Sequence, residues 1–457
     1  MRLSREVLRL AVPSILANIT VPLVGMVDVA IAGHLSAGYS PAALIGGISI
    51  GTMLFDLLYW NFGFLRTGTG GLTAQAFGRG GQGVGSILTR AMRIALLSGL
   101  GLIAIQLLVV WLAFLLVPCS AEVRELATRY FYIRVWAAPA TLSLFALKGW
   151  FIGMQDSVRP MAADLIVNGV NIAASALLAL GIPGVFEGIG FPGIAIGTVI
   201  AQWTGLGYCM IALRRRYRGV FGRDEQPAVE SRGFFALNRD LFLRSLGMMA
   251  VYIGFTVLSA RFGDRVLAVS TILMKLLMLF SYFTDGFAYA AEALTGRFIG
   301  ERSPDGLRSA IRCSFLWSGA VALGFLLLYG LGGGWLFSLM TSSAEVVTAG
   351  RAYIPWLLLM PVVGCAAFVW DGVFIGATAS APLRNSTLLC AVGFFAVWLA
   401  GRYFFPSPGM ALHVLMAAYF AHLLIRGVYL TLRQGVVYEK TACHSKKIVS
   451  LQKSGAS

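Results

Sequence analysis

The sequence predicts an all-α polytopic membrane protein, with twelve transmembrane helices in two six-helix lobes related as parallel repeats. Composition, the number of long apolar segments and an internal repeat predict this class. Of the 457 residues, 58% are hydrophobic and 12% are charged, and the mean hydropathy is +0.79. Soluble domains are about 45–50% apolar and about 25% charged. The composition therefore excludes an ordinary soluble protein.

Twelve apolar runs are each long enough, at about 1.5 Å per residue, to cross about 30 Å of hydrocarbon. They lie near 8–32, 44–66, 91–117, 128–150, 160–180, 193–213, 241–261, 266–292, 310–331, 346–372, 385–405 and 409–431. A β-barrel would show short alternating strands, whereas these runs are continuous. We therefore expect helices.

The formal net charge of +16 comes from basic residues that alternate between successive loops. The loops near 33–43, 181–192 and 332–345 contain no lysine or arginine, whereas 214–218 holds four arginines. This pattern places both termini in the cytoplasm. We expect a multi-pass protein of the plasma (inner) membrane whose basic segments meet anionic lipid, with no nucleic-acid partner.

The chain repeats itself at an offset near 223. Phe151-Ile152-Gly153 matches Phe374-Ile375-Gly376, "LTAQAFG" (72–78) matches "LTGRFIG" (294–300), and "EVRELATRYF" (122–131) matches "EVVTAGRAYI" (345–354). Because each repeat holds six helices, an even number, the halves are parallel repeats. We predict an N-terminal lobe at 1–213, an arginine-rich cytoplasmic linker at 214–240, a C-terminal lobe at 241–432 and a basic cytoplasmic tail at 433–457. Two such bundles are typical of a rocking-bundle transporter.

Motifs for nucleotide binding, metal binding and catalysis are missing from the sequence. It has no Gly-Lys dipeptide and so no Walker A loop, and its six cysteines form no C-x-x-C pair. Its four histidines have no H-E-x-x-H or triad-like setting. We expect no enzyme activity, no metal site and no cofactor. Transport would then draw on an ion gradient or on a separate ATPase subunit.

Five stretches carry a family resemblance. They are "AVPSILANITVPLVGMVDVAIAGHL", "GFLRTGTGGLTAQAFG", "KGWFIGMQDSVRP", "FTDGFAYAAEALTGRFIG" and "FVWDGVFIGATASAPLRNS". Over about residues 5–432 the chain resembles the multidrug and toxic compound extrusion (MATE) family, in its DinF-like branch. The resemblance implies a twelve-helix secondary antiporter whose lobes alternate access and export organic, often cationic, compounds against inward protons or sodium. We expect it to work as a monomer.

Asp28 lies inside the first apolar run. A charge in the bilayer centre costs about 2.5–3.5 kcal/mol on insertion scales, so a retained acid usually faces a cavity and has a function. At ~100° per residue a polar and small arc shares its face, formed by Ser14, Asn18, Pro22 and Gly25. The resemblance implies that Asp28 is the cation-binding acid, and the alternative is a structural acid near the interface. The predicted cation-coupling residues are Asp28, Asn18, Asn171 and Pro13, which permits helix bending.

The fifth run carries Asp164, Asn168, Asn171 and Ser175 on one helix face. Such a stripe faces either a cavity or a polar seam between helices. Ser175 departs from the family, which often has an aspartate there, so a coupling site would hold one carboxylate. In the sixth run Gln202 is a candidate lining residue. We predict a substrate cavity lined by Asn168, Ser175, Gln202, Asp164 and Asp371.

Three further charged residues lie within or at the end of apolar runs. Asp371, in "WDG", is predicted to end the tenth run, and a cap or an interfacial acid is the alternative to a functional role. We interpret Asp56 and Lys275 as the remaining charges deep in apolar runs. Asp56 is one candidate partner for Lys275.

Two other function classes stay open, a flippase for a lipid-linked saccharide and an intramembrane enzyme. A flippase would line its cavity with basic residues for a pyrophosphate, whereas the N-terminal runs offer mainly acids and amides. For the antiporter, sodium would need several oxygens assembled from Asp28, Asn18, Asn171 and main-chain carbonyls. Because that set is poor in charge, the sequence favours proton coupling over sodium.

Overall fold

A computed structural model of the chain describes residues 2–35, 39–117, 119–182, 184–220, 231–340 and 344–441. The α-helices in these ranges are α1 (Arg2–Gly33), α2 (Pro41–Asn61), α3 (Phe64–Gly78), α4 (Val84–Ala104), α5 (Gln106–Leu116), α6 (Ala121–Arg134), α7 (Ala138–Gly153), α8 (Val158–Leu180), α9 (Phe191–Arg216), α10 (Ser231–Ala260), α11 (Asp264–Gly300), α12 (Pro304–Met340), α13 (Ala344–Arg351), α14 (Ile354–Gly376), α15 (Ser380–Phe404) and α16 (Ala411–Leu432). Short 3₁₀ helices lie at Val135–Ala137, Arg218–Val220 and Pro408–Met410.

Twelve helical segments of the described residues are long and apolar enough to cross a membrane, which confirms the predicted fold class. Two spans are interrupted. The second consists of α2 and α3, which meet at Phe62 and Gly63, and the fourth consists of α6, a 3₁₀ turn and α7. The remaining spans are single helices, except that the last, Pro408–Thr441, begins with a 3₁₀ turn and extends past α16.

The second span is longer than the predicted run at 44–66, because it extends to Gly78. Residues 67–74 of this extension, "TGTGGLTA", are all buried. Glycine and threonine lower the hydropathy, yet here they allow helices to approach closely. The sequence prediction therefore placed the end of the second span too early, at residue 66.

A two-stranded hairpin joins the fifth and sixth spans. Strand β1 (Gly181–Ile182) pairs antiparallel with β2 (Phe186–Glu187), with Gly181 opposite Glu187 and Ile182 opposite Phe186. Gly181 and Gly190 both have positive φ, of 77° and 67°, and glycine adopts this region without strain. The hairpin brings α9 back against α8.

Both lobes share a bend after the motif Phe-Ile-Gly. Gln155 and Thr378 have left-handed φ of 61° and 51°, and they are 223 residues apart. This is the offset of the sequence repeat, so the two six-helix lobes repeat in backbone geometry as well as in sequence. The N-terminal lobe comprises α1–α9 and the C-terminal lobe α10–α16.

The lobes meet closely at the end of the bundle where α1 begins, which we call the closed end. A Cβ on Gly71 would collide with the Ile375 carbonyl oxygen, and one on Gly78 with the Arg297 carbonyl oxygen. The Gln75 amide donates to the Gly376 carbonyl at 3.0 Å and to the Thr378 hydroxyl at 3.1 Å. Backbone contact of this kind seals the closed end between the lobes.

The predicted linker at 214–240 is partly helical. Helix α9 ends at Arg216, and 231–240 form the first turns of α10. Residues 221–230 lie outside the described part of the chain. Of the predicted tail at 433–457, residues 435–441 are helical and 442–457 lie outside the described residues. The boundaries between lobes, linker and tail remain predictions.

Candidate functional site: a buried acid and a charged interlobe cavity

Asp28 lies in the second half of α1 and is 7% exposed. Its Oδ1 is buried and has no hydrogen-bond partner among the described residues. Beside it, a Cβ on Gly25 would meet nothing within 4 Å. A buried carboxylate oxygen without a donor is costly in the ionised state, and it can accept a proton or a cation.

Helix α8 lies alongside α1 and runs in the same direction. The Asn168 amide donates to the Thr20 hydroxyl at 2.7 Å. Asp28 is eight residues beyond Thr20, and Ser175 is seven beyond Asn168, so the two lie at about the same level. Asp28 therefore lies at the level of the N-terminal lobe where the predicted polar stripe ends.

The stripe on α8 divides into different environments. Asn171 donates to the Thr198 hydroxyl at 2.9 Å, and Ser175 donates to the Ile194 carbonyl at 3.2 Å. Both are buried, at 3% and 0% exposure. They lie in a polar seam between α8 and α9, which was the alternative to a cavity. The Asn171 Oδ1 atom is left without a partner among the described residues.

The other predicted lining residues of the N-terminal lobe are separate from this seam. Asp164 forms an ion pair with Lys148. Gln202 is half-buried on α9. The role of Asp164, Asn168, Ser175 and Gln202 in substrate binding remains a prediction.

Asn18 and Pro13 lie far from Asp28 because α1 is a continuous helix. The separations are ten and fifteen residues, or about 15 and 22 Å along the axis. This distance separates Asn18 and Pro13 from Asp28 in the described conformation, and their roles in cation coupling remain predictions. The Asn18 amide donates to the Tyr282 carbonyl of α11 at 3.3 Å, across the interface between the lobes.

Arg134 is the basic residue that interacts electrostatically with Asp28. The sequence prediction did not include it. Its guanidinium donates to the Tyr130 hydroxyl at 3.0 Å and lies 4.9 Å from the centre of the Phe55 ring. It interacts electrostatically with both Asp28 and Asp56, without an ion pair to either within 4.0 Å. The signal was present, since Arg134 lies within the predicted run 128–150.

A cavity of about 240 Å³ lies between the lobes. Its walls come from the second span and from α10, α11 and α14, and its charged members are Arg66, Arg244, Asp285, Glu292 and Asp371. Five aromatic residues line it, namely Trp60, Tyr252, Tyr282, Tyr289 and Phe368. Of these charges the sequence prediction included only Asp371.

Asp371 is the centre of one ion-pair group. Arg244 donates to its Oδ2 at 2.7 Å, and Arg426 lies 3.4 Å from the same atom. Helix α14 continues to Gly376, so the prediction that the helix ends at Asp371 is wrong, and Asp371 is not a cap. The functional role of Asp371 and its alternative, an interfacial acid, remain predictions. The predicted run ended at Gly372 because the carboxylate of Asp371 interrupts it, although the residues that follow, Val373, Phe374 and Ile375, are apolar.

A second pair connects the lobes. Arg66 of α3 lies 3.6 Å from Glu292 of α11, and its guanidinium is 4.2 Å from the centre of the Tyr289 ring. Asp285, one helical turn before Tyr289 in α11, has no hydrogen bond or ion pair within the described ranges. The cavity thus holds one acid that no arginine neutralises directly.

Asp56 and Lys275 are both exposed and interact electrostatically, but they form no ion pair within 4.0 Å in the part of the chain described. The sequence prediction assumed that Asp56 and Lys275 were the only remaining charges in the apolar runs, and this is wrong. Arg66, Arg134, Asp285, Glu292 and Arg426 also lie within predicted runs.

The sequence profile of the family described as MatE matches residues 13–177 and again 241–398. DNA damage-inducible protein F of Escherichia coli (strain K12) is 36% identical over 426 residues, which cover 92% of this chain and 90% of that protein. The chain belongs to the MATE family. The two matches of one profile fall in the two halves of this MATE transporter, as the repeat predicts.

More distant relatives agree with this membership. The probable multidrug resistance protein NorM of Caulobacter vibrioides is 25% identical, covering 83% of this chain and 79% of its own. A solved structure described as MATE in the bent conformation has a TM-score of 0.82 at 16% identity, covering 96% of this chain and 98% of that one. A transporter from Pyrococcus furiosus, described as having a binding pocket of reverse polarity, also gives 0.82, at 17% identity, covering 95% and 96%. At these identities the structures show the fold alone.

MATE proteins are multidrug efflux transporters. Family membership therefore makes this chain a multi-pass membrane transporter of the efflux type. Within the described residues, no group of three or more His, Cys, Asp or Glu is arranged to hold a metal ion.

Proposed function

We propose that this MATE transporter exports organic, often cationic, compounds in exchange for inward protons, with Asp28 as the coupling acid. The observation that supports the proposal most is the burial of Asp28 with an unpartnered Oδ1. A proton cancels the charge of this carboxylate and needs no further ligand. Loading and release of one proton would then change the electrostatic energy of the N-terminal lobe.

Arg134 supports a proton rather than sodium. A hard metal cation is held by several oxygen atoms. Asn171 Oδ1 is the one amide oxygen of the seam without a partner among the described residues, and Asn18 is about 15 Å from Asp28 along α1. A guanidinium that already interacts with Asp28 repels a second permanent cation. Sodium remains the alternative coupling ion.

Helix α1 offers a route from Asp28 to the lobe interface. Its first half packs on α11, where Gly286 lies against Ala11 and Ile15, and its second half packs on α8. Pro13 and Pro22 lie inside the helix and remove two main-chain donors. A change at Asp28 can therefore bend α1 and alter the contacts that hold the lobes together.

With both termini in the cytoplasm, the closed end faces the cytoplasm and the described conformation opens outward. The substrate would occupy the interlobe cavity. Asp285 and the rings of Trp60, Tyr252 and Tyr289 provide a negative charge and aromatic faces, which attract flat organic cations. No cofactor takes part, and the transporter works as a monomer in the inner membrane.

One observation favours a second candidate, the flippase for a lipid-linked saccharide. Arg66 and Arg244 line the cavity, and such arginines could hold a pyrophosphate. Each is already matched by an acid, however, and three acids face two arginines in the lining. The export of cations therefore remains the proposal.

Proteoliposomes loaded with an ethidium-like dye test this function. We expect efflux under a pH gradient at fixed sodium and none under a sodium gradient at fixed pH. Transport that follows only sodium would refute the proton assignment. Movement of a pyrophosphate-linked lipid saccharide, without dye efflux, would favour the flippase.

The same vesicles test the substrate site. Asp285→Asn should raise KM about tenfold for a cationic dye, because a charged partner is worth about 1.5–3 kcal/mol. A neutral dye of similar size should keep its KM and serves as the internal control. Equal changes for both dyes would remove Asp285 from the proposed site.

A further inference from the structure

The N-terminal lobe has an apolar groove that shares no lining residue with the interlobe cavity. Helices α4 and α9 both pack on α7, and a groove of about 490 Å³ separates them. Leu147 of α7 forms its floor and is fully buried, whereas Leu96 on the rim is 40% exposed. Its volume is within the range of ligand pockets, about 300–1,000 Å³.

Three arginines from both sides line this groove. Arg93 comes from α4, Arg214 from the last turn of α9 and Arg218 from the 3₁₀ turn that follows. No carboxylate of the described residues lies within 4.0 Å of any of them. The Arg218 Nε donates to the Arg214 carbonyl at 3.0 Å, which leaves its terminal nitrogens for another acceptor.

Tyr217 holds in place the turn that carries Arg214 and Arg218. It points away from the groove, donates to Asp156 Oδ2 at 2.8 Å and packs edge-on against Trp150. Burial, together with the neighbouring Asp156, raises the pKa of Tyr217 to about 12. The phenol therefore stays a donor at physiological pH, and the turn that presents Arg214 and Arg218 keeps its position.

The groove lies at a defined depth in the membrane. The third span begins, and the sixth span ends, on the side where α1 begins, because successive spans alternate in direction. Arg214 and Arg218 lie at the end of the sixth span, where phospholipid headgroups meet water. Arg93 lies about 13 Å along α4, and a helical side chain leans back toward the start of its helix.

We propose that this groove binds an anionic phospholipid of that leaflet, with an acyl chain between α4 and α9 and the phosphate at Arg93, Arg214 and Arg218. Apolar walls that include Met92 and Met210 match a flexible chain. The arginine nitrogens match phosphate oxygens. Basic pockets between transmembrane helices on the cytoplasmic side recognise anionic headgroups in this way.

Native mass spectrometry of the delipidated, detergent-purified full-length chain tests the proposal. Dioleoyl phosphatidylglycerol should bind as one retained copy, whereas dioleoyl phosphatidylcholine, with the same chains, should not. Glycerol phosphate, a headgroup without chains, should bind far more weakly than the phospholipid. Equal binding of the two lipids, or glycerol phosphate bound as tightly as phosphatidylglycerol, would overturn the proposal.

Matched variants locate the site. Arg214→Gln with Arg218→Gln should weaken phosphatidylglycerol binding roughly 30-fold, since each basic residue contributes about fivefold. Arg215→Gln with Arg216→Gln removes the same charge from neighbouring residues that do not line the groove, and should preserve binding. Leu96→Asn, on the exposed rim, should weaken binding through the chain. Equal loss in both double variants would show that charge alone attracts lipid and would refute the groove.

Discussion

The side-chain amide of Asn18 on α1 donates a hydrogen bond of 3.3 Å to the main-chain carbonyl of Tyr282 on α11. This contact joins the helix that carries Asp28 to the opposite lobe. It lies ten residues before Asp28, in the half of α1 that must move if the lobes change their relative orientation. Asn18 thus belongs to the interface between the lobes, and Asp28 to the interior of one lobe.

Replacing Asn18 separates these two roles. Asn18→Ala removes one side-chain to main-chain hydrogen bond, worth about 1 kcal/mol, and should change the rate of dye efflux by about fivefold. The number of protons exchanged per dye should stay the same. Thr204→Ala, which removes an exposed side-chain to main-chain hydrogen bond within α9, is the matched control and should leave the rate unchanged. A changed proton-to-dye ratio in Asn18→Ala would instead place Asn18 in coupling.

The closed end should open when a methyl group is added between the backbones of the two lobes. Gly71→Ala places a Cβ against the Ile375 carbonyl, whereas a Cβ at Gly101 would meet nothing within 4 Å. The cysteine pair Gln75→Cys and Thr378→Cys reports closure, since these side chains touch at 3.1 Å. Cross-linking should fall several-fold with Gly71→Ala and stay unchanged with Gly101→Ala. Undiminished cross-linking in Gly71→Ala would contradict the packing at this end.

Asp371 should contribute strongly to stability. Asp371→Asn leaves Arg244 and Arg426 buried without their common counter-charge, and breaking such a pair costs about 3–5 kcal/mol. Thermal unfolding in detergent should show a clearly lowered midpoint. Asp305→Asn, whose side chain is 97% exposed, should leave the midpoint unchanged. A midpoint equal to that of the unmodified protein would show that the arginines find other partners.

The spans could be predicted from the sequence because hydropathy reports the solvent that a helix faces. The prediction ended too early at residues 67–78 for a physical reason. Glycine and threonine there face other helices instead of lipid. Low hydropathy in this segment therefore reflects close packing and not water.

The charged site was only partly visible in the sequence. Asp28 and Asp371 were found because each interrupts an apolar run. Arg134, Asp285 and Glu292 interrupt apolar runs as well, and a full count of charges within the runs would have found them. What no count could supply is the pairing, since Arg244, Asp371 and Arg426 come from three helices that only the folded structure brings together.

The orientation in the membrane has a direct test. A reporter that fluoresces only in the cytoplasm should be bright when fused after Ser457 or inserted near Gln226, because the basic loops stay inside. It should be dark near Gly188, in the hairpin between α8 and α9. Bright signal at Gly188 would reverse the orientation and the assignment of the closed end to the cytoplasm.

The role of Asp28 is tested most directly by comparing driven and undriven transport in Asp28→Asn proteoliposomes. Asparagine has nearly the same shape and cannot carry the exchanged proton. The variant should lose dye efflux driven by a pH gradient and keep dye exchange at equilibrium, where no gradient acts. Asp56→Asn, another acid that interacts with Arg134, should keep both activities. Full gradient-driven efflux in Asp28→Asn would contradict Asp28 as the coupling acid.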